Sequence, residues 1–367
     1  MAHYFVSTEK DAMISRGQNL TGTGSLKNHG ADEIIEIGKS FQKASTKFAF
    51  ISRGLIKFDI TQVSKSVSSG DIKSNAKYYL VMYDAGAQEL NRDNTLYAYA
   101  VSQSWDEGDG KKSDEPQTEN GVSWKLRNST TSSLWHTADG NWGATYYSAS
   151  GYVASQSFNK DQAVDMRMDV TGIVNNWLTS AVPNEGFVIK RDSAEETSTS
   201  ASGMFKFFSS DTHTIYPPKL EVVWDDSTWV TGSLSALTSD NLDKLHLYTE
   251  GLNIEYKKGA LPRIRVKGRE KYPAQTFSTT SSYLDVKYLP SGSSMFSIVD
   301  ATTDTTIIPF GSGSKISCDA NGNFFRLRTS GLEAERRYKI IYKIESGTGI
   351  NKVINYYDPD HQFKVSL

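Results

Sequence analysis

Apolar and polar residues alternate with a period of two along most of this chain. The pattern is clear in Leu55-Ile56-Lys57-Phe58-Asp59-Ile60, Tyr78-Tyr79-Leu80-Val81-Met82-Tyr83 and Leu96-Tyr97-Ala98-Tyr99-Ala100-Val101. It returns in Gly186-Phe187-Val188-Ile189-Lys190, Met204-Phe205-Lys206-Phe207-Phe208 and Leu220-Glu221-Val222-Val223-Trp224. Successive side chains of an extended chain point to opposite faces, so each run predicts a strand. Clusters of Gly, Ser, Asn and Asp separate the runs, as antiparallel strands joined by loops require. One segment follows a helical period instead. In Asp169–Leu178, Val170, Ile173, Val174 and Trp177 fall on one helical face, and Asp169 stands at the N-cap position.

A strand-like run ends at Trp224 and gives way to the polar Asp225-Asp226-Ser227-Thr228, where a domain boundary is expected. After a Ser/Thr/Leu segment over 227–240, Lys244–Tyr248, Ile254–Tyr256 and Arg263–Val266 open a second set of strands, which Tyr283–Tyr288 through Phe363–Val365 continues. The expected organisation is one β-domain over 1–226, a connecting segment or the start of a second β-domain over 227–275, and a C-terminal β-domain over 276–367. No internal repeat is evident.

Composition narrows the class. Of 367 residues, 38% are hydrophobic and 22% charged, which fits a soluble globular chain rather than a disordered one. The net charge of −2 gives no global electrostatic reason to bind nucleic acid. Cys318 is the single cysteine, so an intrachain disulfide and a Cys-based metal site are both excluded. The opening Met1-Ala2-His3-Tyr4-Phe5-Val6-Ser7 lacks the basic and apolar regions of a secretory signal. No apolar run approaches the roughly 20 residues of a membrane helix. The expectation is a chain made in a cytoplasm, with neither nucleic acid nor membrane as a partner.

Several segments, in order, resemble the DNRLRE family, a carbohydrate-binding-module-like β-sandwich. Arg53-Gly54-Leu55-Ile56-Lys57-Phe58-Asp59 is similar to its early strand, and Trp105-Asp106-Glu107-Gly108 with Val122-Ser123-Trp124 to its tryptophan-bearing loop. Asp169 to Trp177 resembles its turn and helix, and Asn184-Glu185-Gly186-Phe187-Val188-Ile189-Lys190 its following strand. Phe207-Phe208-Ser209-Ser210 and Pro217-Pro218-Lys219-Leu220-Glu221-Val222 fit the closing strand. The resemblance covers about residues 1–226. It implies an N-terminal jelly-roll-like β-sandwich in which Arg53, Asp59, Trp105, Gly108, Asp169, Trp177 and Gly186 determine the fold. Arg53 and Asp59 are expected to pair with charges on neighbouring strands, and the glycines to occupy sharp turns.

The C-terminal part carries a second resemblance. Lys267–Pro273, Tyr288–Gly292, Ile307–Phe310, Lys315–Asp319, Glu335–Ile340 and Tyr356–Asp358 look like segments of structural proteins from contractile-tailed, cyanophage-like bacteriophages. It implies a virion protein made in the host cytoplasm, with other virion proteins and symmetric copies of itself as partners. The full expectation is an all-β chain: the sandwich, then one or two smaller immunoglobulin-like β-domains. It acts without catalysis or cofactor; a surface glycan is the alternative ligand.

Candidate chemistry is sparse. His3, His29, His136, His213, His246 and His361 show no H-x-x-x-H pair. Asp106-Glu107-Gly108-Asp109 offers hard oxygen ligands but lacks the EF-hand register, so solvated loop charge is favoured. No hydrolase elbow, phosphate loop or dinucleotide fingerprint occurs, and the Gly-rich Thr21-Gly22-Thr23-Gly24-Ser25 reads as a loop. Cys318 reads as a buried thiol. Arg263, Arg265, Lys267, Arg269 and Lys271 alternate along a strand and would line one face, solvated or set against an acidic partner. The richest segment is 106–158, where Trp124, Trp135, Trp142, Tyr146, Tyr147 and Tyr152 stand among Ser, Asn and Gly. These rings fit three roles: anchors stapling a long loop to the sheet, a protein interface, or a glycan platform.

Overall fold

The alternating runs form strands, which the computed structural model describes over residues 2–16, 26–42, 45–87, 90–136, 142–162, 164–237, 242–272, 277, 286–347 and 349–367. The chain divides into two compact units. One comprises Val6–Ser68 and Lys77–Glu221; the other comprises Met1–Phe5, Ser69–Ala76 and Val222–Leu367. The division falls inside two strands, after Phe5 and after Glu221, so residues 3–5 of the one and 222–223 of the other belong to the second unit. The expected Thr21–Ser25 loop and the start of the 283–288 strand lie outside the described residues.

The first unit is built on β1 (His3–Ser15), β2 (Ile34–Gln42), β3 (Ser45–Phe58), β4 (Lys77–Met82), β5 (Asn94–Ala100), β6 (Leu126–Asn128), β7 (Ser133–Leu134), β8 (Val153–Phe158), β9 (Met166–Asp169), β10 (Phe187–Arg191), β11 (Gly203–Phe208) and β12 (Lys219–Val223). Ten of these form one sheet in the order β8-β5-β10-β3-β1-β12-β4-β9, with β2 beside β3 and β11 beside β2; β6 and β7 form a separate ribbon. The sheet curls nearly closed. Beyond β4, Asp84 bridges Phe207 of β11, and the Arg167 N–H of β9 donates to the Gln156 side chain of β8 at 2.8 Å.

Both faces of the β5–β10–β3 region are covered. Leu96, Ala98, Ala100, Ile56, Phe58, Phe187 and Ile189 are fully buried along one face. On the other, Leu55 and Val188 join Ala12, Ile14 and Ile51 beneath the tryptophan loop. A strand buried on both faces loses its alternation, so all five residues of β10 are buried, Lys190 and Arg191 included.

The predicted helix is present as α2, and α1 and α3 are additional: α1 (Thr61–Ser68), α2 (Thr171–Leu178), α3 (Ser193–Thr197). Ile173, Val174 and Trp177 of α2 are buried, and the Trp177 ring lies 4.7 Å from Phe187. Val170 takes the N-cap position, while the Asp169 carboxylate one residue earlier accepts the Thr171 N–H at 3.0 Å.

The second unit is built on β13 (Leu245–Glu250), β14 (Glu255–Lys257), β15 (Arg263–Glu270), β16 (Ser294–Asp300), β17 (Thr306–Ile308), β18 (Ser317–Asp319), β19 (Gly322–Arg326), β20 (Arg336–Ser346), β21 (Val353–Tyr357) and β22 (Gln362–Ser366). Four strands pair as β13-β15-β19-β18 and six as β14-β22-β20-β16-β17 with β21 on β20. Phe325 of the first sheet stacks on Phe296 of the second at 4.1 Å. Ile264, Val266, Ile298, Ile340, Tyr342 and Val365 fill the same core. The 227–275 and 276–367 stretches therefore contribute strands to the same two sheets. The molecule is an all-β, multi-domain fold.

Candidate functional site

After β5 the chain leaves the sheet, and the long loop before β8 folds back over the face carrying Leu55 and Val188. Three indoles hold it there, each large enough to bury roughly 150–250 Å². Trp105 donates to the Glu185 carbonyl at 2.9 Å and lies under the Lys10 ammonium. Trp135 donates to the Ser123 carbonyl at 3.0 Å. Trp124 stacks against the Arg53 guanidinium, 4.6 Å from it. Val122 and Ala144 complete the apolar layer.

Asn28 is the polar clamp of this loop. Its amide donates to the Glu107 and Val122 carbonyls, both at 2.7 Å, and its carbonyl accepts the Gly30 and Gly110 N–H groups at 3.1 and 2.8 Å. Gly108 passes through this knot at φ +82°, where a Cβ would strike the Asn28 side chain and the Asn120 carbonyl. Gly186 is similarly confined, at φ +87° against the Ile56 carbonyl.

The acidic loop segment is spent on the same task. Asp106 accepts from the Asn128 amide and Asp109 from the Asn120 amide. Glu107 accepts the Asp11 N–H at 2.7 Å, and burial raises its pKa. Beside it, Asp11 accepts the Ser210 N–H at 2.7 Å with one carboxylate oxygen, while the other finds no hydrogen-bond partner among the described residues. Burial pushes the Asp11 carboxyl up to about 7. Among the described residues, no group of three or more His, Cys, Asp or Glu side chains is placed to hold a metal ion.

At the edge of the indole layer lies a buried ionic cluster. Arg53 grips Glu196 with two bonds of 2.9 and 2.6 Å, and the Lys190 ammonium stands 3.3 Å from the same carboxylate. Lys39 donates to the Glu196 carbonyl at 2.7 Å. Burial lowers the Lys190 pKa, an effect that Glu196 opposes. The expected partner of Arg53 was a charge on a neighbouring strand; the actual one sits on α3, where Asp192 caps the helix by accepting the Ala194 N–H at 2.7 Å. Asp59, for its part, braces the start of α1 by accepting the Thr61 N–H at 2.9 Å.

A row of tyrosines runs along the cluster. Tyr97 and Tyr99 project from one face of β5, 6.1 Å apart, and Tyr146 lies 4.5 Å from Tyr99. Lys190 is 5.9 Å from both Tyr99 and Tyr146. Burial pushes the Tyr99 hydroxyl up to about 12, keeping it a neutral donor. Tyr147 pairs with Tyr152 at 5.2 Å, and Trp142 lies under Lys125.

The six aromatic candidates thus separate into two groups. Trp124 and Trp135 are buried, at 3% and 2% exposure, and serve as loop anchors. Trp142, Tyr146, Tyr147 and Tyr152 are half-buried. Among the fold-determining candidates, Trp105 and Trp177 are buried and Asp169 braces the start of α2.

A separate groove of about 690 Å³ is lined by Lys57, Asp59, Ser64, Lys65, Trp177 and Asn184, among others. Its charges are largely committed: Lys57 pairs with Glu9 and Glu185, and Asn184 bonds to the Phe58 carbonyl.

In the second unit, Arg265 makes two bonds to Asp319, of 2.8 and 3.0 Å, and Lys267 pairs with Glu250. The alternating basic face is thereby partly neutralised by its own chain. Cys318 is buried, as expected of a structural thiol. Exposed large apolar residues gather around β21: Ile350, Val353, Ile354 and Tyr356, the last 63% exposed. Among the described residues, no helix is long and apolar enough to cross a membrane. No family model matches this chain, and no curated protein matches it.

Proposed function

We propose that this chain is a structural component of a tailed-phage virion: a non-catalytic adaptor or decoration protein of tail, neck, baseplate or capsid that works through protein–protein interfaces. The phage-like segments of the C-terminal half motivate the particle. The observation that carries the interface reading is the group of exposed Ile350, Val353, Ile354 and Tyr356 on one sheet edge. Apolar side chains clustered on an edge favour association with protein. The polar groups of the first unit fit the same reading, because Arg53, Lys190 and Glu196 satisfy one another within the fold. Synthesis in host cytoplasm, followed by incorporation, is the corresponding localisation. Mass spectrometry of purified particles tests the proposal: the chain should be present in stoichiometric copies, and its absence would end this reading.

One observation favours a second reading, glycan binding. Tyr97, Tyr146, Tyr147, Tyr152 and Trp142 are half-buried on the first unit, and aromatic rings open in part to solvent can stack on the C–H face of a sugar. Glycan-array or whole-cell binding by the full chain should then weaken when Trp142 and Tyr147 are changed to Ala. Binding indifferent to both substitutions would remove this site.

A further inference from the structure

β21 is a strand with a ladder made on one side and, among the described residues, none on the other. It pairs with β20, setting Ser346 opposite Val353, Ile344 opposite Asn355 and Tyr342 opposite Tyr357. The Glu345 N–H donates to the Ser293 carbonyl at 3.0 Å, so the backbone of Glu345 faces β16 and those of Tyr342, Ile344 and Ser346 face β21. Backbone direction alternates along a strand. Val353, Asn355 and Tyr357 therefore face β20, and the N–H and C=O groups of Ile354 and Tyr356 point away from it. Among the described residues, β20 is the one ladder partner of β21. The side chains of Ile354 and Tyr356 are 40% and 63% exposed at this edge.

An open edge of this kind accepts another strand, and the sequence of β21 indicates which one. Two copies can meet antiparallel only where outward-facing residues oppose each other: Ile354 on Ile354, Ile354 on Tyr356, or Tyr356 on Tyr356. The first register sets Asp358 opposite Ile350, and the third sets Ile354 opposite Asp358. Only the middle one matches throughout. There Ile354 opposes Tyr356, Val353 opposes Tyr357 and Lys352 opposes Asp358, each pair occurring twice around Asn355. Lys352 is already held at this edge by Glu345 at 2.6 Å.

We infer that two copies of this chain pair antiparallel through β21, about a two-fold axis at Asn355, joining their six-stranded sheets into one continuous sheet. Such an interface is isologous, with opposite charges closing both ends and apolar pairs between them. The inference deepens the assembly reading above by naming the partner, and it rests on that reading only for its biological setting.

Sedimentation equilibrium of the full chain tests it. A strand-edge contact sits at or below the small end of specific interfaces, under about 1,200 Å², so a dissociation constant on the order of 1–100 μM is expected. Ile354→Pro removes an outward N–H and leaves the bonds to β20, so it should abolish the dimer. Asp358→Lys sets like charges opposite each other twice and should weaken it about tenfold. Adding Lys352→Asp to Asp358→Lys should restore it, a rescue that a folding defect cannot mimic. A chain monomeric across that range, including one that binds a foreign strand-forming peptide instead, overturns the inference. So does a dimer indifferent to both Ile354→Pro and Asp358→Lys. Presence in particles is read separately, so failure of the pairing and failure of the virion assignment remain distinguishable.

Discussion

Trp105, Trp124 and Trp135 stand in a loop with little regular structure and are almost wholly buried; Ile354 and Tyr356 stand in a regular strand and are exposed. The contrast separates two properties that sequence patterns tend to merge. Regular structure satisfies the backbone, whereas burial depends on what covers each face. In the first unit an indole layer covers the outer face of β3 and β10 and Lys190 is sealed in at its edge, while Arg191 is buried on the opposite face against Asn94 and Gly203. At β21 no such layer lies among the described residues, and an apolar edge remains for a partner.

Breaking the covered region should have the larger effects. Glu196→Ala leaves Arg53 and Lys190 buried without their shared carboxylate, and should destabilise the first unit by about 3–5 kcal/mol in chemical denaturation. Asp11 tests the same region through pH. Its carboxyl, raised from 3.8 to about 7, holds its proton to higher pH in the folded chain than in the unfolded one. Stability from this site is therefore fullest below about pH 4, falls as pH rises towards about 7, and is flat above that. Asp11→Asn should remove that slope and raise stability at pH 8, by on the order of 2–4 kcal/mol; denaturation midpoints across this range check the sign.

Trp135→Phe retains an aromatic ring but leaves the Ser123 carbonyl without its indole donor. It should cost about 1–3 kcal/mol by the same measurement. At the uncovered edge the smallest effect is expected: Tyr356→Ser should change unfolding of dilute monomer by less than about 0.5 kcal/mol. A large loss there would place Tyr356 in a core and erase the contrast between the two regions.

Much of the fold was legible because alternation is a local signal. The runs at Leu55–Ile60, Tyr78–Tyr83 and Leu96–Val101 became β3, β4 and β5, and the single helical stretch became α2. The other two helices were harder to read. α1 buries Val63 alone, too little to set a period, although Asp59 stands two residues before its first position. For α3 a signal was present: Asp192-Ser193-Ala194-Glu195 has the spacing that opens a helix. Asn28 gave none, since three of its four bonds reach segments 79 to 94 residues away.

The sequence by itself determined which faces are apolar, where the chain turns, and that strands dominate, because each follows from the chemistry of adjacent residues. Tertiary structure alone decided that Trp124 and Trp135 became buried anchors while Trp142 and Tyr147 stayed half-buried. It also joined Arg53 to Glu196 across 143 positions and, among the described residues, gave β21 a ladder partner on one side. These outcomes depend on which distant segments come to lie against a face, and a local period carries no record of that.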